Sequence, residues 1–283
     1  MGDGCLGLQV EVISMTPDRG RQQSQVFGEV AEIYHLYRPG YPKSLFEWIL
    51  TTCEPSATEL VVDIGCGTGK ASGPLLRHGF EILGLEPDPE MARIAAREFK
   101  EFDLFSVEEY AFEDWPSMDR KVGLLIAGQS WHWTNPELRF QRAASILQPE
   151  GWLCVFWNRP DYDKKPFDAE VDRIYADLVP EFDNNLSSVR LPGSKAAITA
   201  DSPTEEINMS GLFDPVQELQ IGWEIEISTH HHIQNLRTQS DHRMLEPGLR
   251  DELFRQISEA INACGGIYRQ TFTTHAYAAK LSV

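Results

Sequence analysis

The stretch "VVDIGCGTGK", residues 61–70, carries three glycines within five positions directly after an apolar run. An apolar strand followed by a glycine-rich turn is typical of α/β folds that bind nucleotides. Four interpretations of the turn compete: a nucleoside-triphosphate loop, a dinucleotide loop, a loop for a ligand without phosphate, and a turn that binds nothing. The residues around the glycines distinguish among them.

The spacing of the glycines speaks against both phosphate-binding loops. A triphosphate loop needs four residues between its glycines and a Ser or Thr after the lysine. Here three residues separate Gly65 from Gly69, and Ala71 follows Lys70. A dinucleotide loop reads GxGxxG, with a third glycine that lets helix and strand pack closely. This turn reads GxGxG, and Gly73 lies too far along to serve as that third glycine.

An acidic residue at the end of the strand favours a ligand without phosphate. Asp63 lies two positions before the first glycine, where a carboxylate would repel a pyrophosphate and attract an ammonium group. Asp63, Gly65, Gly67 and Gly69 match the acid-x-Gly-x-Gly-x-Gly motif, and the turn resembles that of class I S-adenosylmethionine-dependent methyltransferases. The resemblance implies that these residues, with Cys66, contact S-adenosylmethionine, which leaves as S-adenosylhomocysteine.

Apolar runs alternate with amphipathic segments along the chain. This alternation predicts an α/β, doubly wound, Rossmann-like sheet covered by helices on both faces. The resemblance implies seven strands, of which the final one is antiparallel. The predicted strands cover residues 59–64, 80–86, 104–107, 121–128, 151–158, 215–227 and 270–281. The predicted helices cover 45–53, 70–79, 88–99, 135–147, 233–238 and 249–264, with Asp88 and Asn135 as N-caps.

A second acidic residue supports the same ligand. Glu86 ends the second strand within "LGLEPDPEM", where its carboxylate can accept both ribose hydroxyls. The alternative is an ordinary acid at a strand end. Pro87 and Met91 would then lie on the adenine side, whereas Asp88 could be only a helix cap. In the resembled family the loop "AFEDWP" flanks the adenine, which adds Phe112 and Glu113 to the cofactor site.

The loop "GQSWHWTNP" follows the fourth strand and should border the reacting centre, since ligands bind beyond the carboxyl ends of such strands. Gln129 is predicted to contact the cofactor. Trp131, Trp133 and, at the end of the fifth strand, Asn158 are predicted to line the acceptor site. His132 is the candidate general base because histidine titrates near neutral pH. The alternative is a histidine that is hydrogen-bonded within the tryptophan cluster.

The segment "VFGEVAEIYHLYRPGYP", residues 26–42, resembles an N-terminal lid helix that folds over the cofactor. Tyr34, Tyr37 and Tyr41 would bring aromatic faces near a sulfonium. Arg38 could pair with the methionine carboxylate. Tyr34 and Arg38 are assigned to the cofactor, and Tyr37 and Tyr41 to the acceptor. The alternative is that these aromatic side chains only dock a helix against the core.

The histidine run in "THHHIQN", with His242 beyond it, raises the question of a metal site. Adjacent histidines on a regular element point in different directions, and no carboxylate stands at a suitable spacing. We therefore expect no metal. The segment should cap the substrate cavity or lie on the surface.

The predicted domain organisation is a flexible extension over residues 1–24 and a single methyltransferase domain over 25–283. Within the domain, the core covers 25–159, an irregular cap insertion 160–215, and C-terminal strands and helices 216–283. From about residue 159 to 215 the pattern loosens and prolines recur. The pocket for the acceptor should therefore lie where the sequence pattern is weakest.

Composition limits the partners. A net charge of −18, from 43 acidic and 25 basic residues, disfavours nucleic acid. No apolar run approaches the roughly 18 residues of a membrane span, which predicts no membrane partner. The five cysteines are scattered, as expected for reduced thiols in a cytoplasmic protein. The oligomeric state stays open, with a homodimer as one option.

These features together predict methyl transfer from S-adenosylmethionine to an oxygen, nitrogen or carbon atom of a small metabolite. The chain is most similar to the branch that includes trans-aconitate and ubiquinone methyltransferases. Three alternatives remain at this point: an NAD-dependent oxidoreductase, a non-catalytic scaffold with the same fold, and a methyltransferase that acts on protein.

Overall fold

A seven-stranded sheet forms the centre of the molecule, with the strand order β3-β2-β1-β4-β5-β7-β6. The computed structural model describes residues 30–118, 120–161, 166–180 and 203–282. The strands are β1 Leu60–Ile64, β2 Glu81–Leu85, β3 Phe105–Glu108, β4 Val122–Gly128, β5 Leu147–Asp161, β6 Gln217–Ser228 and β7 Ile267–Lys280. The helices are α1 Ala31–Tyr37, α2 Lys43–Cys53, α3 Ser72–Arg77, α4 Pro89–Glu98, α5 Arg139–Ile146, α6 Pro166–Leu178, α7 Pro203–Ser210, α8 Thr229–Arg237, α9 Ser240–Met244 and α10 Pro247–Ala263.

The strand pairing confirms the predicted doubly wound topology. Strands β1 to β5 pair in parallel, and β7 lies between β5 and β6, antiparallel to both. The chain order reverses between β1 and β4, so the helices that follow these two strands leave the sheet in opposite directions. Ligands bind in the crevice at such a switch point, beyond the carboxyl ends of the strands. The glycine turn after β1 and the loop after β4 both lie there.

Both faces of the sheet are buried, which explains why its parallel strands are apolar throughout. Neighbouring residues of one strand point to opposite faces. Val61 and Leu124 therefore belong to the cluster under α2 and α3, whereas Val62 and Leu125 belong to the cluster on the other face. Packing on both faces thus holds the sheet in place, and with it the glycine turn that follows β1.

A third apolar cluster joins α6, α8 and α10 to the adjoining ends of β6 and β7, and we call this helical unit the cap. Part of it lies within residues 160–215, which were predicted to be irregular. That prediction is wrong for α6 and α7. Val171, Ile174 and Tyr175 of α6 are buried at helical spacing, and Pro166 stands at the first helical position, where proline is favoured. Prolines interpreted as breakers therefore concealed a helix start.

Two predicted helix starts differ from the structure by four residues. The helix expected from Asn135 begins at Arg139, because the Asn135 carboxamide accepts the Glu137 N–H at 2.9 Å and holds a separate turn. The helix expected over 233–238 begins at Thr229, behind the Ser228 cap. Asp88 is the N-cap of α4 as predicted, since its side chain accepts two backbone N–H groups of the first turn.

Some predictions fall outside the described residues. They are the flexible extension over residues 1–24, the first residues of the lid and the polar segment that begins at residue 181. Within the described ranges, no helix combines the length and the apolar character that a membrane crossing requires.

Candidate active site

The glycine turn after β1 has a backbone that other residues rarely adopt. Gly65, Gly67 and Gly69 have φ angles of +61°, +57° and +83°, in the left-handed region where a Cβ is disfavoured. A Cβ on Gly65 would lie 2.7 Å from the Cβ of Ser130, and one on Gly69 would overlap the Phe99 ring. The turn therefore presents bare backbone at the edge of the sheet.

Two buried carboxyl groups flank this turn. Glu86, at the end of β2, accepts the Gly67 N–H at 2.8 Å through Oε2 and the Asp88 N–H at 2.9 Å through Oε1. Asp63, at the end of β1, accepts the Ser72 hydroxyl at 2.6 Å through Oδ2. Because a carboxylate has about four acceptor positions, both groups keep capacity for a ligand. Backbone hydrogen bonds thus fix the direction in which Glu86 faces.

Burial shifts the protonation of these two carboxyls, and a cation bound nearby would shift it back. Burial raises the pKa of Asp63 to about 7, against the Ser72 hydrogen bond, which lowers it. Burial also raises the pKa of Glu86 to about 7, helped by the charges of Asp88 and Asp63 and opposed by its backbone hydrogen bonds. A positive ligand nearby would favour the ionised form of both groups.

The other residues of the turn have different roles. Cys66 packs its sulfur against β2, where a Cβ on Gly84 would lie 2.6 Å from Sγ. Its thiol is therefore a packing group, and its backbone N–H donates to the Leu85 carbonyl at 3.1 Å. Met91 is buried beside Tyr34 of α1, and a Cβ on Gly67 would lie 3.5 Å from its methyl group. Met91 therefore lies next to the turn.

The loop predicted to flank the adenine is fixed from two sides. Phe112 is buried against Trp131, with ring centroids 6.0 Å apart. The Glu113 carboxylate accepts the backbone N–H of Asn135, so this acid already supports the loop after β4. Pro87 is exposed at the end of β2. Of Pro87, Phe112 and Glu113, only Phe112 is buried, and its ring packs against Trp131 in the loop after β4.

Helix α1 and the residues to Tyr41 form the lid, and the core holds the lid by its backbone. Lys70 of the glycine turn donates to the His35 carbonyl at 2.8 Å. Asn158 of β5 donates to the Gly40 carbonyl at 2.8 Å, and its Oδ1 accepts the Thr274 hydroxyl at 2.6 Å. Asn158, predicted to contact the acceptor, thus bonds the lid with one end of its carboxamide and β7 with the other.

The cap holds the lid from the other side. The His231 ring donates from Nε2 to the Tyr37 carbonyl at 3.0 Å. His230 lies 3.1 Å from the Tyr37 hydroxyl through its Nε2. Arg38 donates to the Thr238 carbonyl at 3.1 Å, while its buried Nε has no partner among the described residues. Tyr37 therefore joins the lid to the cap, and Arg38 keeps one donor unused.

The lid aromatics fit both of their interpretations. Burial raises the pKa of Tyr34, and the charge of Glu86 adds to the shift. The Tyr34 ring therefore lies within electrostatic reach of the Glu86 carboxyl. The Arg38 guanidinium sits 5.3 Å from the Tyr34 ring. Tyr41 packs edge-on against Phe156 of the core, with centroids 4.9 Å apart. Tyr34 and Arg38 thus lie at the site, and Tyr41 both docks the lid and lies close enough to Asp63 for that charge to help raise its pKa after burial.

The loop after β4 begins with a strained residue. Gln129 has a φ of +59°, which costs on the order of 1 kcal/mol in a residue other than glycine. Its side chain donates to the Asn158 carbonyl at 3.2 Å, and its N–H donates to Phe156 at 2.9 Å. Trp131 is buried beneath it, with the Arg139 guanidinium 5.5 Å from the ring. These bonds hold the loop at the switch point.

His132 lies in the middle of this loop between two tryptophans. The Trp157 indole N–H donates to His132 Nδ1 at 3.2 Å, and the Trp133 ring centroid lies 4.8 Å from that of His132. Nε2 is buried and has no partner among the described residues. Burial lowers the pKa of His132 to about 4, with the positive Arg139 as a second cause. His132 is therefore neutral at physiological pH.

Comparison with known proteins agrees with this geometry. A family model described as a methyltransferase domain matches residues 62–155, which hold the turn, both carboxyls and His132. An uncharacterized methyltransferase of Mycobacterium tuberculosis is 33% identical over 205 residues, which cover 72% of each chain. The chain belongs to the methyltransferase family. This membership decides against the oxidoreductase alternative.

Two further proteins extend the comparison of this methyltransferase. A probable S-adenosylmethionine-dependent methyltransferase of Saccharomyces cerevisiae is 35% identical over 136 residues, 46% of each chain. A solved structure from Anaeromyxobacter dehalogenans, assigned as a type II methyltransferase, has a TM-score of 0.57 at 23% identity and covers 86% of this chain and 98% of its own. The fold is that of class I methyltransferases. The trans-aconitate or ubiquinone branch stays a prediction.

The residues present fit S-adenosylmethionine, which carries a sulfonium, an ammonium and two ribose hydroxyls. Asp63 Oδ1 and Thr68 Oγ1 are buried beside the turn with no partner among the described residues. A buried polar atom left without a partner costs roughly 1–3 kcal/mol, which a ligand hydrogen bond would recover. The turn has no Cβ atoms at Gly65, Gly67 and Gly69 to obstruct that approach.

The histidine run of the methyltransferase lies at the contact between lid and cap. His230 and His231 contact Tyr37, whereas His232 packs on Tyr268 inside the cap, with centroids 4.5 Å apart. His242 is buried and lies 2.6 Å from the Tyr175 hydroxyl. Among the residues that the structure describes, no group of three or more metal-binding side chains converges. The run therefore links lid and cap.

Several residues stabilise the methyltransferase site through contacts that the sequence did not predict. Lys70 holds the lid, and the Thr238 carbonyl accepts a hydrogen bond from Arg38. Trp157 orients His132, and the Ser130 hydroxyl donates to the Ile64 carbonyl. Trp157 and Lys70 lie within segments that were interpreted as strand and helix. Their partners are distant in sequence, so periodicity could not assign them a role.

Proposed function

We propose that this methyltransferase uses S-adenosylmethionine to methylate an oxygen, nitrogen or carbon atom of a small molecule. One observation carries the proposal: two buried carboxyls, Asp63 and Glu86, flank a glycine turn, and burial raises the pKa of both to about 7. Such a pair is costly without a positive partner. It supports a cationic ligand over a phosphate-bearing one.

The cofactor prediction assigns each group of the site a task. Glu86 is held by two backbone N–H groups in a fixed direction, as a bidentate acceptor for the ribose hydroxyls requires. Asp63 offers Oδ1 to the ammonium side. Arg38 offers its unused Nε–H to the methionine carboxylate of the cofactor, and Tyr34 presents its ring to the sulfonium. When bound, the cofactor supplies a methyl group on a sulfonium, which is already activated for transfer.

The enclosure of the site supports a small acceptor. The lid is bonded to the core through Lys70 and Asn158 and to the cap through His231 and Arg38. A site closed on both sides excludes water and positions two reactants, which is the main contribution an enzyme can make to methyl transfer. The net charge of −18 also disfavours a nucleic-acid acceptor. A protein acceptor is the second candidate.

The test is incubation of the protein with methyl-labelled S-adenosylmethionine and a metabolite extract, followed by mass spectrometry. We expect label in a small product, together with the formation of unlabelled S-adenosylhomocysteine. The matched control is Glu86→Gln, which should bind and transfer far less. Label found only in protein would support the second candidate. Cofactor binding by calorimetry without turnover in any extract would indicate a non-catalytic scaffold, and absence of binding would refute the proposal.

A further inference from the structure

The hydrogen bond between Trp157 and His132 fixes which imidazole nitrogen carries the proton. An indole nitrogen can only donate, so the Nδ1 atom that receives it at 3.2 Å must present its lone pair. In a neutral imidazole the proton then resides on Nε2. Nε2 is buried and has no partner among the described residues. His132 therefore carries one N–H donor that the protein leaves unused.

This arrangement argues against His132 as a general base. A base needs a free lone pair, and the only lone pair of this tautomer already accepts the Trp157 N–H. An efficient base also needs a pKa near the working pH, whereas burial lowers the pKa of His132 to about 4. The same features suit a donor, because the group stays neutral and keeps its proton on one atom.

We propose that His132 contributes a neutral Nε2–H hydrogen bond to the methyl-acceptor substrate, and that Trp157 is the positioning residue that fixes this tautomer. The inference rests on the proposed function and adds a substrate feature to it. The acceptor molecule should place an oxygen atom with partial or full negative charge at His132. No proton transfer is assigned to the imidazole.

The surroundings of His132 favour such an oxygen. Arg139 is the charged group that acts on the imidazole, and it is held beneath the loop by the Trp131 carbonyl and by an ion pair of 2.5 Å with Glu206. Its positive potential opposes a cationic substrate group at Nε2–H. An unpaired buried N–H also penalises a molecule that offers no acceptor there.

The first test compares three variants with wild type in transfer from labelled S-adenosylmethionine to the metabolite extract. Glutamine places an amide N–H where Nε2–H stood and cannot serve as a base. We expect His132→Gln to stay within about threefold of wild type and His132→Ala to lose about tenfold or more. Trp157→Phe should fall between them. Equal losses in His132→Gln and His132→Ala would overturn the proposal.

The second test reads the tautomer directly and does not depend on turnover. Nitrogen-15 NMR of the imidazole in wild type should show a protonated Nε2 and an unprotonated Nδ1, unchanged from pH 5 to pH 8. Trp157→Phe should mix the tautomers and raise the pKa of His132, whereas the control Trp133→Phe should leave Nδ1 unprotonated. A protonated Nδ1 in wild type, or titration near pH 6.5, would overturn the proposal.

The two tests separate this inference from the proposed function. A wild-type protein that transfers no label would contradict the proposed function, and the NMR signature would still decide the tautomer. A wild-type protein that transfers label but shows a protonated Nδ1 would keep the methyltransferase function and remove the donor role of His132.

Discussion

The cofactor end and the acceptor end of the site are built from contacts of very different sequence range. At the cofactor end, the bonds of Glu86 and Asp63 join residues 19, 2 and 9 positions apart. At the acceptor end, the bonds of Tyr37 and Asn158 join residues 193 and 118 positions apart. The first end follows from the local chain, whereas the second forms only when lid, core and cap have assembled.

This difference assigns different consequences to mutations at the two ends. A change at the glycine turn should alter cofactor affinity and local strain. A change at the lid should alter the motion of one segment with smaller effects on affinity.

Replacing Glu86 should cause the greatest loss of cofactor affinity. In Glu86→Gln, one oxygen becomes an NH₂ group that meets either the Gly67 or the Asp88 N–H, and the charge is lost. Hydrogen bonds to charged groups contribute about 1.5–3 kcal/mol each, so we expect the dissociation constant to rise about a hundredfold. Calorimetry measures it. The control is Glu81→Gln at the exposed start of the same strand, and equal affinities of the two variants would contradict the assignment.

Adding a methyl group to the turn should destabilise the fold itself. Gly65→Ala combines a positive φ with a Cβ 2.7 Å from that of Ser130, whereas Gly79→Ala has a positive φ and open space. We expect Gly79→Ala to lower the free energy of unfolding by about 1 kcal/mol, and Gly65→Ala by about 2–4 kcal/mol. Denaturant unfolding measures both. Similar losses would mean that close packing does not constrain the turn.

The buried charge of Asp63 should produce opposite effects on stability and on binding. Its folded pKa of about 7 lies above its ordinary value, so its contribution to stability is complete in acid and is lost as the pH rises through 7. Between pH 6.5 and 8 the cofactor-free wild type should lose the remainder of this contribution, and Glu86, whose pKa burial also raises to about 7, adds to the loss. The depressed pKa of His132 adds little in this window, because its contribution is lost only below pH 6.5.

Asp63→Asn removes that charge and keeps an oxygen for the Ser72 hydroxyl. Above pH 7 the cofactor-free variant should therefore unfold at a higher temperature than wild type, while its affinity for S-adenosylmethionine falls about tenfold. Thermal unfolding at pH 6.5 and 8, with and without cofactor, measures both effects. A variant that is less stable than wild type at pH 8 would show that the Asp63 charge is already compensated.

Removing the Asn158 carboxamide should loosen the lid and leave the cofactor end intact. Asn158→Ala deprives the Gly40 carbonyl of a donor and the Thr274 hydroxyl of an acceptor, at a cost of about 1–3 kcal/mol. We expect faster amide exchange over residues 38–41 and a few-fold weaker cofactor binding. Thr51→Val, which removes a local hydroxyl bond on α2, is the control. Unchanged exchange over residues 38–41 would contradict the anchoring role.

The difference between short-range and long-range contacts also explains which parts of the site the sequence could predict. The strand ends at Asp63 and Glu86 meet because parallel strands place their carboxyl ends on one edge, so two local motifs predicted that these carboxyls flank the glycine turn. Asn135 resembled a helix cap but holds a separate turn. Pro166 looked like a helix breaker, although it is the first residue of α6. Lys70 and Asn158 act on lid carbonyls 35 and 118 positions away, which no periodicity encodes.

The smallest effect should come from the outermost contact between lid and cap. Tyr37→Phe removes the hydroxyl that lies 3.1 Å from His230 and keeps the ring contacts and the bond from His231 to the Tyr37 carbonyl. Because this hydroxyl is exposed, we expect a loss of at most about 0.5–1 kcal/mol in unfolding free energy. His231→Ala removes the bond to the backbone and should exceed it, with faster amide exchange near residue 38.

The relative size of the losses in Tyr37→Phe and in Asn158→Ala tests how the lid is held. If Tyr37→Phe cost as much as Asn158→Ala, side-chain contacts with the cap would hold the lid more firmly than the bonds to its backbone. Substitutions in the histidine run would then disturb cofactor binding as strongly as substitutions in the core. A double-mutant cycle between Tyr37 and His230 decides this, and we expect a coupling energy below about 1 kcal/mol.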